Sequence, residues 1–253
     1  MRVEWGPDGA RVLAPRSAAL VVVDVLSFTT AVSVAVDAGT AVFPYPSRTD
    51  GVREFAARHG AVFAVGRRAV SPEQPWSLSP AALRRAPVPR RLVLPSPNGS
   101  AITASVTGTP VVAACLRNAS AVAAWLTRQG WGSADRPISI IAAGERWPGA
   151  DTLRPAVEDW IGAGAVVSAL AAAGAGPLSP EAAAAAALHH GIGDVARYVT
   201  DCASGRELAA AGFAEDVAIA VEIDAGTAVP VRTDGVFTAA EEGARGEFRP
   251  PRA

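Results

Sequence analysis

The sequence predicts an α/β fold, a three-layer α/β/α sandwich with helices on both faces of a mainly parallel or mixed sheet. Three observations point there. Apolar runs of strand length alternate with helix-length segments through most of the chain. The run AALVVVDV (Ala18–Val25) stays apolar instead of alternating, as a strand buried on both faces does. With 253 residues, 50% of them hydrophobic and 19% charged, the chain can bury a sizeable core and is not disordered.

The elements follow in order. After the strand at Ala18–Val25, Thr29–Ala38 reads as a helix stopped by Gly39. Ala41–Pro44 is a short strand, Thr49–His59 an amphipathic helix and Ala61–Val65 the next strand. Gly66–Arg91 is rich in Pro, Arg and Ser and reads mostly as loop. Leu92–Leu94 and Val111–Ala114 are strands, with a helix start at Ser100–Val106 between them. Ser120–Gln129 is a helix burying Trp125 and Leu126, Ile138–Ala142 a strand and Ala156–Ala173 a long helix. Pro180–His190 is an alanine-rich helix, and Ser204–Ala211 another that ends at Gly212. The alternation in VAIAVEI predicts a strand at Val217–Ile223. The Asp-Gly within AVPVRTDGVF predicts a hairpin over Ala228–Phe237. No repeat or long linker divides the chain, so residues 1–240 are expected as one domain and 241–253 as a flexible tail.

Composition excludes several function classes. The formal net charge is −1, from 23 basic and 24 acidic residues, which gives no field favouring nucleic acid or an anionic membrane. Mean hydropathy is +0.24, but alanine and valine account for it. The most apolar helical stretch, Ile161–Gly176, is shorter than a membrane span and interrupted by glycine. The N-terminal MRVEWGPDGARV carries acids early and lacks an apolar core, so no signal peptide is read there and the expected compartment is the cytoplasm. Two cysteines make neither a disulfide framework nor a cysteine-rich metal site. All 23 basic residues are arginine, which excludes Schiff-base chemistry, a lysine general base and a phosphate-binding Walker lysine. The alanine-rich helices would serve a homo-oligomer contact and core burial equally well.

Ligands of open α/β sheets bind beyond the carboxyl ends of the strands. The residues there are Asp24, then Ser96, Asn98, Gly99 and Ser100, then Cys115, Arg117, Asn118 and Ser120, then Gly144, Glu145 and Arg146. The long helix opens with VEDW, placing Glu158 and Asp159 in its first turn. Each has a structural reading as well. Asp24 fits a turn, and Asn98-Gly99 fits a tight turn. Asn118 or Ser120 fits a helix cap. Glu158 and Asp159 suit the positive end of a helix dipole, and both cysteines suit a core. Taken together, the set favours metal-assisted phosphate handling. Carboxylates would hold a hard cation with several waters, and amides at the helix starts 99–101 and 118–121 would bind phosphate oxygens.

VVVDVLSFTTAV, PNGSAI, LRNASAVAAWL, AAGE followed by VEDWIGAG, and ASGRELAAAGFAEDVAIA with VPVRTDGV together resemble the 2-phosphosulfolactate phosphatase (ComB-like) family from about Ala18 to Val236. The resemblance implies an α/β/α fold, Mg2+ as cofactor and removal of phosphate from a small phosphorylated, sulfonated hydroxy acid. In some organisms that reaction belongs to coenzyme M synthesis. It implies catalytic roles for Asp24, Glu145 and Asn118 and a metal set of Asp24, Glu158 and Asp159. Substrate contacts would come from Ser27, Asn98, Gly99, Ser100, Arg117, Asn118 and Arg146.

The chain departs from the family pattern at several points. Ser27 stands where the family has arginine, and Trp76–Pro80 where it has Gly-Asn-Ser-Pro. Val65–Arg68 (VGRR) stands for Gly-Gly-Glu-Arg, and Pro95, Ser96 and Pro97 for threonines. Arg67, Arg68, Arg117 and Arg146 are the candidates to supply the missing guanidinium. The alternative from another class is a catalytically impaired small-anion-binding or scaffold protein on the same fold. Other hydrolase designs fail on the residues. Leu26 stands where a haloacid-dehalogenase-type enzyme needs its second acid. Ala121 and Leu208 stand where a cysteine phosphatase loop needs arginine. An isochorismatase-type triad requires lysine.

Overall fold

Successive residues of a strand point to opposite faces of a sheet, so a strand apolar at every position needs cover on both sides. That is what the computed structural model, which describes residues 1–46 and 51–241, provides. In the strand Ala19–Val23, Ala19, Val21 and Val23 enter one core, while Leu20 and Val22 enter the other. Ile138 and Ile140 divide from Ile141 in the same way, and Val112 and Ala114 from Val111 and Ala113.

In chain order the elements are β1 (Arg2–Trp5), α1 (Gly6–Leu13), β2 (Ala19–Val23), α2 (Phe28–Asp37), β3 (Ala41–Tyr45), α3 (Val52–Arg58) and β4 (Val62–Phe63). Then come α4 (Pro80–Arg85), β5 (Arg91–Pro95), α5 (Gly99–Ser105), β6 (Val111–Ala114), α6 (Ala119–Arg128), β7 (Ile138–Ala142), and the small hairpin β8 (Glu145–Arg146) with β9 (Leu153–Arg154). The chain continues with α7 (Val157–Ala172), α8 (Pro180–Gly191), α9 (Val195–Asp201), α10 (Ala203–Ala210), α11 (Ala214–Ala220), β10 (Pro230–Thr233) and β11 (Val236–Ala239).

The main sheet has nine strands in the order β1-β7-β2-β6-β10-β11-β3-β5-β4. The block β1, β7, β2, β6 is parallel, as is the block β3, β5, β4. The antiparallel hairpin β10–β11 joins them, so the sheet is mixed and the two blocks run in opposite senses. Helices α6, α7 and α8 cover one face; α1, α2, α4 and α5 cover the other. The α/β class and the layered arrangement expected from the sequence are both present.

Close approach between layers depends on small residues. A Cβ at Gly162 would lie 2.8 Å from both Val23 and Val25, and one at Gly164 would lie 2.1 Å from the carbonyl oxygen of Ala185. These glycines do not break α7; they let it lie against β2 and α8. Gly164→Ala is therefore expected to destabilise the fold by about 1–3 kcal/mol through overpacking. The check is a lower thermal midpoint; an unchanged midpoint would show that α8 gives way freely.

Several expectations need correction. Of the expected strand Val217–Ile223, Val217–Ala220 is helical, the end of α11, because Val217 and Ala220 share a buried face and Glu215 and Asp216 occupy the favourable first turn; Val221–Ile223 follow it without forming a strand. The expected loop Gly66–Arg91 contains α4, whose Ser79-Pro80 start is a cap followed by proline at the first helical position. Strand β1 and helix α1 also form where no element was expected. The hairpin at 228–237 forms as β10–β11. The tail beyond Glu241, and Thr49 and Asp50 of the expected second helix, lie outside the described residues. Among the described residues no helix is long and apolar enough to cross a membrane.

Candidate active site

The segments that follow β2, β5 and β7 meet in one cleft of about 300 Å³, lined by Asp24, Ser27, Asn98, Glu145 and Arg146 together with Arg67, Arg154 and Glu207. Asp24 is the residue next after β2. Its carboxylate is almost buried and accepts the Phe28 amide at 3.1 Å and the Gly99 amide at 2.8 Å. It thereby ties the first turn of α2 to the first turn of α5. Burial raises its pKa above the ordinary value, and the two amide bonds oppose that rise. A side chain at position 99 has no room, because a Cβ there would lie 2.4 Å from the Phe28 ring and 2.7 Å from Asp24 Oδ2.

Glu145 approaches from β8 and accepts a 2.9 Å hydrogen bond from Asn98 Nδ2. Its pKa is raised to about 7, first by burial and then by the nearby charge of Asp24. Beyond this bond lies a second cavity of about 190 Å³, which shares Pro97, Asn98, Glu145 and Arg146 and adds Trp5, Ile102 and Leu153. Three arginines balance the acids. Arg154 pairs with Glu207 through two bonds of 2.8 and 2.9 Å. Arg146 pairs with Asp151. Arg67 donates to Ser27 Oγ at 2.6 Å and to Asp216 Oδ2 at 2.9 Å.

The family model described as 2-phosphosulpholactate phosphatase matches residues 11–235, most of the chain. The chain belongs to the 2-phosphosulpholactate phosphatase family. Membership makes it one of a family of phosphoric monoester hydrolases. A comparison with curated proteins found no match.

Within this family assignment the expected site residues divide into two groups. Asp24, Ser27, Ser96, Asn98, Glu145 and Arg146 line the cleft. The others do not, and each serves the backbone or the core. The Gly99 amide is occupied by Asp24, and the Ser120 amide by Asp224, so neither helix start offers that group to phosphate. Ser100 donates to the Leu94 carbonyl and accepts the Tyr45 amide. Asn118 is fully buried; it accepts the Cys115 amide at 2.9 Å and donates to the Ala113 carbonyl at 3.3 Å. Arg117 is buried in an ion pair with Glu222. Asp159 accepts the amides of Val25 and Gly144 at 2.7 and 2.8 Å, fastening the loops after β2 and β7. Glu158 is buried, does not line the cleft and accepts from the Cys202 thiol. Its charge still reaches the cleft, where it helps to raise both Asp24 and Glu145.

Of the four candidates for the missing guanidinium, Arg67 is the one beside Ser27. Arg68 is exposed, Arg117 points its charge at Glu222, and Arg146 pairs with Asp151. Nothing in the sequence pattern assigns a role to Arg154, Glu207 or Asp216. Glu207 and Asp216 lie inside the matching string ASGRELAAAGFAEDVAIA, but nothing in their spacing ties them to residues far earlier in the chain.

Proposed function

We propose that the cleft removes the phosphoryl group from a small phosphorylated hydroxy acid of the 2-phosphosulfolactate kind, with Mg2+ as its cation. The observation that carries this reading is the convergence of Asp24, Asn98 and Glu145 with three arginines in one polar cleft beyond the strand ends. A phosphate dianion needs donors and positive charge; its cleavage needs an acid and a place for a hard cation.

The residues present fit magnesium in a restricted way. Among the described residues no group of three or more His, Cys, Asp or Glu side chains is placed to share a metal ion. Magnesium does not require one, because it binds through one or two carboxylates and keeps several waters. Asp24 is the member of the expected metal set that lines the cleft; each of its oxygens has a lone pair beyond the amide bond it accepts. The mutual repulsion of Asp24, Glu145 and Glu158 also favours a cation among them. When bound there, Mg2+ would neutralise charge on the phosphoryl oxygens.

The chain's own residues supply the rest. Glu145, whose pKa is raised to about 7 in the metal-free cleft, is the acid placed to protonate the leaving alkoxide oxygen as the ester bond breaks and water supplies the oxygen that phosphorus gains. Asn98 holds that carboxyl in place. The arginines offset the negative charge of the substrate.

The test is phosphate release from a panel of phosphorylated 2-hydroxy acids, with Mg2+ and after chelation. Turnover that disappears with chelator and returns with added Mg2+ is expected. No turnover of any ester, together with tight binding of an unphosphorylated acid, would instead mark an anion-binding protein on the same fold.

A further inference from the structure

We propose that Arg67 grips the phosphoryl group in the cleft and that Asp216, outside the cleft, is the residue that positions it. This rests on the phosphatase reading and makes it more specific.

Arg67 enters the cleft from a single helical turn, Arg67–Ala69, in a part of the chain with little regular structure. Its guanidinium is nevertheless fixed on two edges. Nε donates to Asp216 Oδ2 at 2.9 Å, and Nη2 donates to Ser27 Oγ at 2.6 Å. The Phe213 ring lies with its centroid 5.5 Å from Cζ. Nη1 has no partner among the described residues, while the side chain lines the same cleft as Asp24. An arginine already held in place loses little freedom when it takes an oxyanion, and its planar fork suits a tetrahedral anion.

Asp216 is built as an anchor. Its side chain is 1% exposed. Oδ2 takes Arg67, while Oδ1 accepts the Ser79 hydroxyl and the Ala81 amide, the latter at 3.2 Å. The carboxylate is thus locked between α11 and the start of α4 and does not line the cleft. The other cleft arginines are less suited. Arg154 has both terminal nitrogens committed to Glu207, and the Arg146 side chain is 41% exposed and paired with a still more exposed Asp151. Ser27 also fixes where the Arg67 guanidinium lies. It lies in the turn that joins Asp24 to α2, so the guanidinium is held beside the group assigned to the chemistry, where phosphorus has to sit.

The experiment is calorimetric titration with inorganic phosphate and, separately, with an unphosphorylated hydroxy acid. The proteins are wild type, Arg67→Lys, Arg67→Gln, Asp216→Asn and the double variant Arg67→Gln/Asp216→Asn. Arg67→Gln is expected to weaken phosphate binding roughly 30-fold, the value of a charge-assisted hydrogen bond, and Asp216→Asn roughly 10-fold. The double variant should be no weaker than Arg67→Gln alone, because Asp216 acts only through Arg67. It also removes both charges together, so it folds without a buried unpaired carboxylate. Arg67→Lys keeps the charge without the fork and should fall between wild type and Arg67→Gln. Binding of the unphosphorylated acid should hardly change. Losses from the two single variants that multiply in the double variant would overturn the role given to Asp216. A loss confined to the unphosphorylated acid would overturn the role given to Arg67. Ester turnover by wild type with phosphate affinity untouched in Arg67→Gln would overturn this inference and leave the phosphatase reading standing. Lost phosphate affinity in Arg67→Gln, with no ester turned over by wild type, would do the reverse.

Discussion

Asp24→Ala is expected to cut phosphate release by on the order of 10³-fold or more and to destabilise the fold by about 2–4 kcal/mol. The two effects have separate causes. In the proposed mechanism, catalysis loses a carboxylate that lines the cleft and would hold the cation. Stability falls because the amides of Phe28 and Gly99 are left buried without an acceptor. Each orphaned donor costs about 1–3 kcal/mol, and relief of a buried charge offsets part of the sum. Asp24→Asn separates the two causes. Its carbonyl oxygen satisfies one amide, but its NH2 faces the other, so stability should recover only partly while activity stays lost. Initial rates and urea denaturation measure the two outcomes independently. Activity within tenfold of wild type in both variants would remove Asp24 from the mechanism. A full loss of activity with unchanged stability would show that other groups satisfy the two amides.

The same double duty explains what could and could not be read from the sequence. The central strands were legible because AALVVVDV and ISIIA are apolar on both faces, and only a doubly covered sheet satisfies that pattern. The edge strand β1 was not, since RVEW places Arg2 and Glu4 where an edge tolerates charge. The run VAIAVEI alternates over too few residues to separate strand from helix, and the acids before it decide for α11. Around the cleft, Asp24 and Glu145 were legible as neighbours because they follow β2 and β7 of one parallel block, whereas Asn98 follows β5 of the oppositely running block and is tied to them through the Asp24–Gly99 hydrogen bond. Ser100, Asn118 and Asp159 carry the same signal but spend their polar atoms on backbone groups nearby. Buried loops need such acceptors and donors as much as ligands do. Arg67 and Asp216 are 149 residues apart in sequence, so their pairing could not be seen before the fold brought α11 to the cleft.

Glu145→Gln is expected to stabilise the metal-free protein at pH 8 by about 3 kcal/mol while lowering turnover roughly 10² to 10⁴-fold. The carboxyl titrates near pH 7 in the folded protein, against an ordinary value of 4.5. Below the ordinary value both folded and unfolded chains hold the proton, and the group costs nothing. Between the two values the unfolded chain ionises while the folded chain does not, so stability falls as pH rises. Above about 7 both are ionised and the whole penalty remains, about 1.4 kcal/mol for each unit of difference. Glutamine carries no charge at any pH, and its carbonyl oxygen still accepts from Asn98. The stability curves of wild type and Glu145→Gln should therefore meet near pH 4 and diverge up to about pH 8, measured by urea denaturation in chelator. Curves that stay parallel across that range would show that Glu145 titrates normally and does not retain a proton for the leaving group. Magnesium supplies the second arm. A cation that binds only the folded state stabilises it by about 2.7 kcal/mol at a concentration 100 times its dissociation constant. The gain should be larger for wild type than for Glu145→Gln, because the cation offsets repulsion between Asp24 and Glu145 that the variant lacks. Equal gains in the two proteins would place the cation away from this pair. The burial and crowding of negative charge that cost the folded protein stability above about pH 7 are, in the proposed mechanism, what keep a proton on Glu145 for the leaving group.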